Sequence, residues 1–175
     1  MGQNKAGLIL GGMSLVQRKV RQLSPAQQLL VCGAALPGCE AVADHFPDCG
    51  PMGGIHAALT ACQQELLFVV ACDLPFADWS AALALYPYMM QEADAVVPLS
   101  PDGRKEFVCA LYRARCLPAF ERLLQAGRYR LRDLMEVLRV KTVPTSSLPL
   151  PPMALMNLNT PEDLQLARRL IENAP

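Results

Sequence analysis

The sequence has no excess charge of either sign, because 16 lysines and arginines balance 16 aspartates and glutamates. Proteins that bind nucleic acids or anionic membranes usually present a positive surface, so this balance argues against both partners. The chain also has no apolar run near the ~20 residues of a membrane-spanning helix. Its polar start, MGQNKAG, lacks the apolar core of a signal peptide. We therefore expect a soluble cytoplasmic protein.

Paired cysteines and clustered histidines are also missing. The seven cysteines are odd in number and include no CxxC pair, and Cys72 and Cys109 lie inside apolar segments. This pattern favours reduced, buried thiols over a disulfide framework or a zinc site. His45 and His56 have no helical spacing and no GxSxG signature is present, so the sequence predicts neither a histidine metal site nor a serine nucleophile.

What the chain does have is enough apolar sequence for a sizeable core. Apolar residues make up 52% of the 175 residues and charged residues 18%, which excludes a disordered chain and favours one domain over residues 1–175. Short apolar segments alternate with amphipathic ones, which predicts an α/β fold with a mostly parallel sheet flanked by helices. The predicted strands are 28–32, 40–43, 66–72, 93–98, 107–112 and 140–143. The predicted helices are 15–23, 55–63, 79–90 with an interruption near Pro87, 117–125, 131–138 and 161–171. Gly11-Gly12 predicts a turn, and Thr160 with Asp163 predicts a capping box at the start of the last helix.

The first predicted helix has one apolar face and one basic face. The apolar face carries Leu15, Val16, Val20 and Leu23, and the opposite face carries Arg18, Lys19 and Arg21. This spacing is typical of a helix that packs one stripe against a core. We therefore expect the three basic side chains to lie away from that core.

The segment 66–75, LLFVVACDLP, combines an unbroken apolar run with a single carboxylate. A short continuous apolar run predicts a strand buried on both faces, and Pro75 ends it. Asp73 therefore lies just past the carboxyl end of a predicted central strand, which is where open α/β sheets bind ligands. A carboxylate there either holds a divalent metal through its oxygens or caps the next turn. The segment alone leaves both roles open.

Three further segments carry candidate residues of open role. The glycine-rich loop at 50–55, GPMGGI, opens a helix, so its amides either approach an anion or only turn the chain. Lys5 either contacts a phosphate or is a solvated surface lysine. Asn157 and Asn159 lie on the same side of an extended backbone, where they contact a polar ligand or form a local turn.

Taken together, five segments carry a family resemblance: MGQNKAGLILGG (1–12), DHFPDCGPMGGI (44–55), FVVACDLPF (68–76), GRKEFVCALYR (103–113) and NLNTPEDL (157–164). In this order and at this spacing the sequence resembles the molybdenum cofactor guanylyltransferase family of nucleotidyltransferases over nearly its whole length. The resemblance implies a Rossmann-like, GT-A-type fold. It also implies transfer of GMP from GTP to the phosphate of molybdopterin, with release of pyrophosphate.

The resemblance implies two catalytic residues. Asp73 resembles the aspartate that binds the metal, and Lys5 resembles the lysine that contacts the triphosphate. The cofactor would be Mg²⁺, and the substrates would be GTP and molybdopterin. Other proteins of molybdenum cofactor biosynthesis, or proteins that accept the finished cofactor, would be partners.

Four more residues match positions that contact the substrates in the family. Asp44 resembles an aspartate on the nucleotide, and Cys32 falls where some members place an asparagine near the base. Asn157 and Asn159 resemble a pair that faces the metal or the pterin. The resemblance leaves open whether the base is guanine or cytosine.

The sequence departs from the family pattern at its start. The family reads LAGGxSxRMGxxK, whereas this chain begins at the methionine of that pattern, and the alternative match of residues 9–14 to LAGGxS does not fit the later spacing. We therefore expect the family's first strand and phosphate loop to be missing, so that either the true start lies upstream or the chain is truncated and inactive. A second departure, Glu106 and Phe107, falls where relatives often carry Gln-Pro and leaves substrate contacts there open.

Two alternatives follow from these departures. One is a non-catalytic domain that binds a nucleotide or a partner protein. The other is a cytidylyltransferase or a sugar-phosphate nucleotidyltransferase, because the base-reading loop is the part that the sequence does not contain. In-frame codons for an apolar strand and LAGGxSxR upstream of Met1 would favour the active enzyme.

Overall fold

The computed structural model describes residues 5–33, 36–37, 39–90 and 92–173. Its α-helices are α1 (Leu15–Gln22), α2 (Pro51–Ala61), α3 (Trp79–Leu85), α4 (Leu117–Gln125) and α5 (Pro161–Glu172). Its strands are β1 (Ile9–Leu10), β2 (Met13–Ser14), β3 (Leu30–Cys32), β4 (Glu40–Val42), β5 (Leu66–Val70), β6 (Ala95–Leu99), β7 (Cys109–Arg113) and β8 (Val140–Pro144). Short 3₁₀ helices lie at Lys5–Gly7, Tyr86–Tyr88, Ala114–Cys116, Leu131–Glu136 and Thr145–Ser147.

A four-stranded mixed sheet forms the centre, in the order β5-β7-β6-β8. β6 and β8 are parallel, whereas β7 is antiparallel to both of its neighbours. A parallel pair, β3 with β4, and a hairpin, β1 with β2, form two smaller sheets. The predicted α/β class is confirmed. The central sheet is mixed because residues 100–108 join β6 to β7 without a helix, whereas a parallel connection needs a longer crossover.

β5 lies at the end of the central sheet and pairs only with β7 among the residues that the structure describes. All five of its apolar side chains are half-buried, whereas β6 and β7 each bury four of five. The prediction that this strand is buried on both faces is therefore wrong. The expected absence of the family's first strand stays a prediction.

The amino-terminal hairpin leads directly into α1. Gly11 and Gly12 turn the chain with positive φ angles of 59° and 79°, as two-residue hairpins require. Ser14 then caps α1 in a capping box with Gln17. On this helix Lys19 is only 5% exposed, which corrects the prediction that it lies away from the core. Its side chain is buried because its ammonium group donates to the carbonyl of Ala77.

The largest core cluster lies between the central sheet and the helices α2 and α4. It includes Met52 and Ile55 of α2, Phe120 of α4, and Val97 and Tyr112 of the sheet. The side chains of Tyr112 and Phe120 pack edge to face, with ring centroids 5.6 Å apart. This packing holds the first turn of α2, which carries the glycine-rich loop, against the sheet.

Candidate active site

Three strands end at the same edge of the central sheet. Val70 pairs with Cys109, so the carboxyl end of β5 lies beside the amino end of β7. β6 runs antiparallel to β7 and parallel to β8, which brings the carboxyl ends of β5, β6 and β8 together. The loops 71–78, 100–108 and 145–160 therefore share one edge, where open α/β sheets bind ligands.

Lys5, Asp73 and Asn159 meet at this edge. The Nζ atom of Lys5 lies 2.9 Å from Oδ2 of Asp73 and 2.7 Å from Oδ1 of Asn159. The side chains of Lys5 and Asp73 are 25% and 21% exposed, so the ion pair is partly shielded and still open to a ligand. Residues far apart in the sequence thus form one group of a cation, a carboxylate and an amide.

Backbone hydrogen bonds hold this group in place. The amide of Leu158 donates to the carbonyl of Asp73 at 2.8 Å. The carboxylate of Asp163 accepts from the amides of Asn159 and Thr160, at 2.9 and 2.8 Å, within the capping box of α5. These bonds lower the pKa of Asp163. The predicted cap of the last helix is confirmed, and it also orients Asn159.

Asn157 is half-buried and lies two residues before Asn159. Among the described residues, hydrogen bonds join Asn159 to Lys5, whereas Asn157 makes none with Lys5 or Asp73. Of the predicted asparagine pair, the structure brings one member directly into the group and leaves the other beside it.

Cys32 and Asp44 line a cavity of about 680 Å³ at the start of α2. The remaining lining includes Gly50, Pro51 and Gly54, so the amino end of a helix of 11 residues faces the cavity. Cys32 donates through Sγ to the carbonyl of Gly54 at 3.2 Å. Burial raises the pKa of the Cys32 thiol, and the nearby charge of Asp44 raises it further. The thiol is therefore a neutral hydrogen-bonding group.

The loop that follows Asp44 explains why residue 53 is a glycine. The Oδ1 atom of Asp44 accepts from the amide of Phe46 at 2.9 Å. A Cβ atom on Gly53 would lie 2.8 Å from both the Asp44 carboxylate and the Phe46 carbonyl. Only glycine therefore lets α2 begin this close to the loop. Gly54 has no such neighbour, since its Cβ would lie 3.8 Å from that of Cys32.

The structure thus sorts the predicted site residues into two sets. Lys5, Asp73 and Asn159 are joined by hydrogen bonds. Cys32 and Asp44 share the cavity, whose lining includes none of the other three.

The sequence reasoning missed a basic groove beside the same edge. The groove has a volume of about 590 Å³ and is lined by Lys105, Arg130 and Arg132, with Gly103, Phe107 and Leu131. The alternating basic residues of RYRLR, residues 128–132, were the available signal. Next to the groove Glu106 is buried, and its carboxylate pairs with Arg104 at 2.7 Å. Because the Glu106 carboxylate is paired with Arg104, Lys105, Arg130 and Arg132 give the groove its positive charge.

The group formed by Lys5, Asp73 and Asn159 contains one carboxylate that could bind a metal ion, that of Asp73. Within residues 5–33, 36–37, 39–90 and 92–173, no three His, Cys, Asp or Glu side chains lie close enough to hold a metal. Mg²⁺ in nucleotide enzymes commonly takes one or two carboxylates, with the remaining ligands from substrate phosphates and water. Asp73 and the amide oxygen of Asn159 fit this hard-oxygen set, provided that Lys5 moves off the carboxylate.

The fold is an α/β fold with a mixed sheet. A lysine, an aspartate and an asparagine lie at the ligand-binding edge of that sheet, and a nearby helix begins at a glycine-rich loop. Together these features define a nucleotide-binding α/β protein. The comparison with family models is more specific, because residues 1–143 match the MobA-like NTP transferase domain. The chain belongs to this family. No helix in the described ranges is long and apolar enough to span a membrane.

Relatives with an assigned activity match most of the chain. The molybdenum cofactor guanylyltransferase of Desulfosudis oleivorans is 32% identical over 180 residues, covering 98% of this chain and 89% of the relative. A probable molybdenum cofactor guanylyltransferase of Carboxydothermus hydrogenoformans is 31% identical over 173 residues, covering 94% and 87%. The resemblance stated from the sequence is confirmed.

Solved structures share the fold at lower identity. The molybdopterin-guanine dinucleotide biosynthesis protein A of Archaeoglobus fulgidus superposes with a TM-score of 0.80 at 22% identity, covering 99% of this chain and 93% of the other. The 2-C-methyl-D-erythritol 4-phosphate cytidylyltransferase of Thermus thermophilus superposes with a TM-score of 0.75 at 18% identity, covering 96% and 94%. These likenesses establish a nucleotidyltransferase fold.

Proposed function

We propose that this chain carries, within one domain, the site that transfers GMP from GTP to molybdopterin in molybdenum cofactor biosynthesis, with release of pyrophosphate. The observation that carries the proposal is the hydrogen-bonded group of Lys5, Asp73 and Asn159 at the ligand-binding edge of the sheet. Its residues belong to the segments that carry the family resemblance. The names of the relatives supply the substrates.

Lys5 and Asp73 act on the triphosphate as a pair. In-line attack on the α-phosphorus needs little covalent chemistry from a protein, so positioning and charge compensation do most of the work. We propose that Lys5 leaves Asp73 for a phosphate oxygen when GTP binds. The freed carboxylate, with the amide oxygen of Asn159, would then hold Mg²⁺. A bound Mg²⁺ neutralises charge on the phosphates and on the departing pyrophosphate.

The two recesses supply the two substrate sites. The cavity at the start of α2 offers the nucleoside a carboxylate acceptor on Asp44 and a thiol on Cys32. The groove lined by Lys105, Arg130 and Arg132 offers positive charge to the phosphate of the acceptor. We assign Asn157, two residues before Asn159, to the pterin side of the site. Cytoplasmic location and partners among the proteins of the same biosynthesis belong to this proposal.

A second candidate is cytidylyl transfer. The likeness to the Thermus thermophilus cytidylyltransferase supports it at the level of the fold. The cavity with Cys32 and Asp44 does not decide between the bases, because carboxylate and thiol accept and donate to either. Assays with GTP and CTP side by side separate the two candidates.

The test measures nucleotidyl transfer to molybdopterin with Mg²⁺, on the 175-residue chain and on the product of the same gene with any in-frame upstream codons. We expect GMP transfer by at least one form, and loss of more than 100-fold on Asp73→Asn, on the scale of removing one electrostatic group from a transition state. Glu172→Gln, on the exposed end of α5, is the matched control and should leave the rate unchanged. No transfer by either form would refute the proposal.

A further inference from the structure

Lys19 is a buried cation that the proposed reaction does not use. Its side chain is 5% exposed. Its Nζ donates to the backbone carbonyl of Ala77 and, at 2.7 Å, to Oε1 of Gln22. Both acceptors are neutral, and no carboxylate of the described residues forms an ion pair with the ammonium group to repay its loss of water. A methionine or leucine would fill this position in α1 without that desolvation cost. The presence of a lysine therefore calls for a role for its charged group.

Gln22 extends the contact one turn further along α1. Its Nε2 donates to the carbonyl of Pro75 at 2.8 Å. Lys19 and Gln22, three residues apart, lie on the same helix face. Together they hold two carbonyls of one short segment, residues 74–78, which we call the clamped segment.

The clamped segment begins immediately after Asp73. Leu74 and Ala77 are fully buried, and the amide of Leu74 donates to the carbonyl of Ala71 at 3.2 Å. On the other side, the amide of Leu158 holds the carbonyl of Asp73. The position of the Asp73 carboxylate thus depends on two anchors, one from the asparagine loop and one from α1.

Ionisable groups from three elements face the ammonium of Lys19. Asp78 is the last residue of the clamped segment and Cys72 lies just before Asp73, Cys109 begins β7, and Arg18 is the neighbour of Lys19 on α1. Burial is the largest influence and lowers the pKa of Lys19 to about 8, while the thiols and Asp78 raise it. At neutral pH the side chain is therefore mostly protonated and donates to the carbonyl as a cation, which is the stronger hydrogen bond.

We propose that Lys19 and Gln22 are positioning residues that clamp residues 74–78 to α1 and thereby hold Asp73 in place for the metal and the triphosphate. This inference rests on the proposed function for its catalytic consequence, and on geometry alone for the clamp itself. Neither side chain touches Asp73, so the effect passes through the backbone of the segment.

The first test is hydrogen exchange of the clamped segment in the free protein, followed by mass spectrometry. Lys19→Met and Gln22→Ala should each speed exchange of the amides of Leu74, Phe76, Ala77 and Asp78 about tenfold, as loss of one hydrogen bond from a locally opening segment predicts. Arg21→Met, on the exposed face of the same helix, is the control and should leave exchange unchanged. Unchanged exchange in both clamp variants would overturn the proposal, and Gln22→Ala decides it if Lys19→Met does not fold.

The second test uses the Mg²⁺ dependence of GMP transfer. In an active form, both clamp variants should lower kcat/KM for GTP about tenfold and raise the Mg²⁺ concentration needed for half-maximal rate. A merely structural role would lower the active fraction and leave that concentration unchanged, which would overturn the positioning role. If the wild type transfers no GMP, the proposed function fails, and the exchange measurement by itself decides whether the clamp exists.

Discussion

The buried charge of Lys19 predicts an unusual dependence of stability on pH. Lys19→Met keeps the length and apolar stem of the side chain and removes the ammonium group. Burial lowers the pKa of Lys19 from 10.5 to about 8 in the folded protein. A pKa difference of that size corresponds to about 3 kcal/mol between the two protonation states. The charge therefore costs stability at neutral pH, where the folded protein must keep it.

The sign follows from proton binding in the two states. Between about pH 8 and 10.5 the unfolded chain still holds the Lys19 proton and the folded protein has released it. Stability rises with pH wherever the unfolded state binds more protons. The Lys19 contribution to the free energy of unfolding is thus lowest below about pH 8. It rises by up to about 3 kcal/mol as the pH approaches 10.5.

Other buried groups work in the opposite direction. Burial raises the pKa of Cys109 to about 12 and that of Cys116 to about 11, and it raises the pKa of Tyr112 as well. Their protons leave the unfolded chain first, so these groups lower stability above about pH 9. They are present in both the wild type and Lys19→Met. The difference between the two proteins therefore reports the contribution of Lys19 together with its coupling to the Cys109 thiol.

Urea unfolding of both proteins at pH 7, 8, 9 and 10 measures that difference. From pH 7 to pH 10, we expect the free energy of unfolding of the wild type to rise by about 2 kcal/mol or more relative to that of Lys19→Met. At pH 7 the two should be within about 1–2 kcal/mol, because relief of the charge offsets the carbonyl of Ala77 left without a donor. Arg21→Met should show no such trend. A difference that stays constant with pH would refute the burial of a charged Lys19.

Two further substitutions test the local geometry of the site. Gly53→Ala should lower the free energy of unfolding by about 1–3 kcal/mol, because its Cβ would lie 2.8 Å from a carboxylate and a carbonyl oxygen. Gly54→Ala, at the next residue, has room for a Cβ atom and is the control in the same urea experiment. Equal losses of unfolding free energy in the two variants would contradict the steric role of Gly53. Asp163→Asn should lower the thermal midpoint at pH 7, and the loss should vanish in acid, since the stabilisation by a carboxyl of lowered pKa disappears as the pH falls through that pKa. Glu162→Gln, which makes no capping bond, is its control, and a loss that persists in acid would contradict the capping role.

The chain's local signals determined most of the secondary structure. The Gly11 and Gly12 turn, the Thr160 cap and the 117–125 helix were readable because each depends on neighbouring residues. The differences lie where distant residues decide. The all-apolar strand at 66–70 is the outermost strand of the central sheet among the described residues. The interruption predicted near Pro87 is confirmed, because α3 ends at Leu85 and a 3₁₀ turn, Tyr86–Tyr88, follows.

The sequence by itself also determined which segments belong to a nucleotidyltransferase, because their order and spacing are specific. Only the tertiary structure decided which side chains meet. It joined Lys5 to Asp73 and Asn159, separated Cys32 from them, and buried Lys19 against the segment that follows Asp73. A helix period predicts which residues share a face, and only packing determines which distant backbone reaches that face.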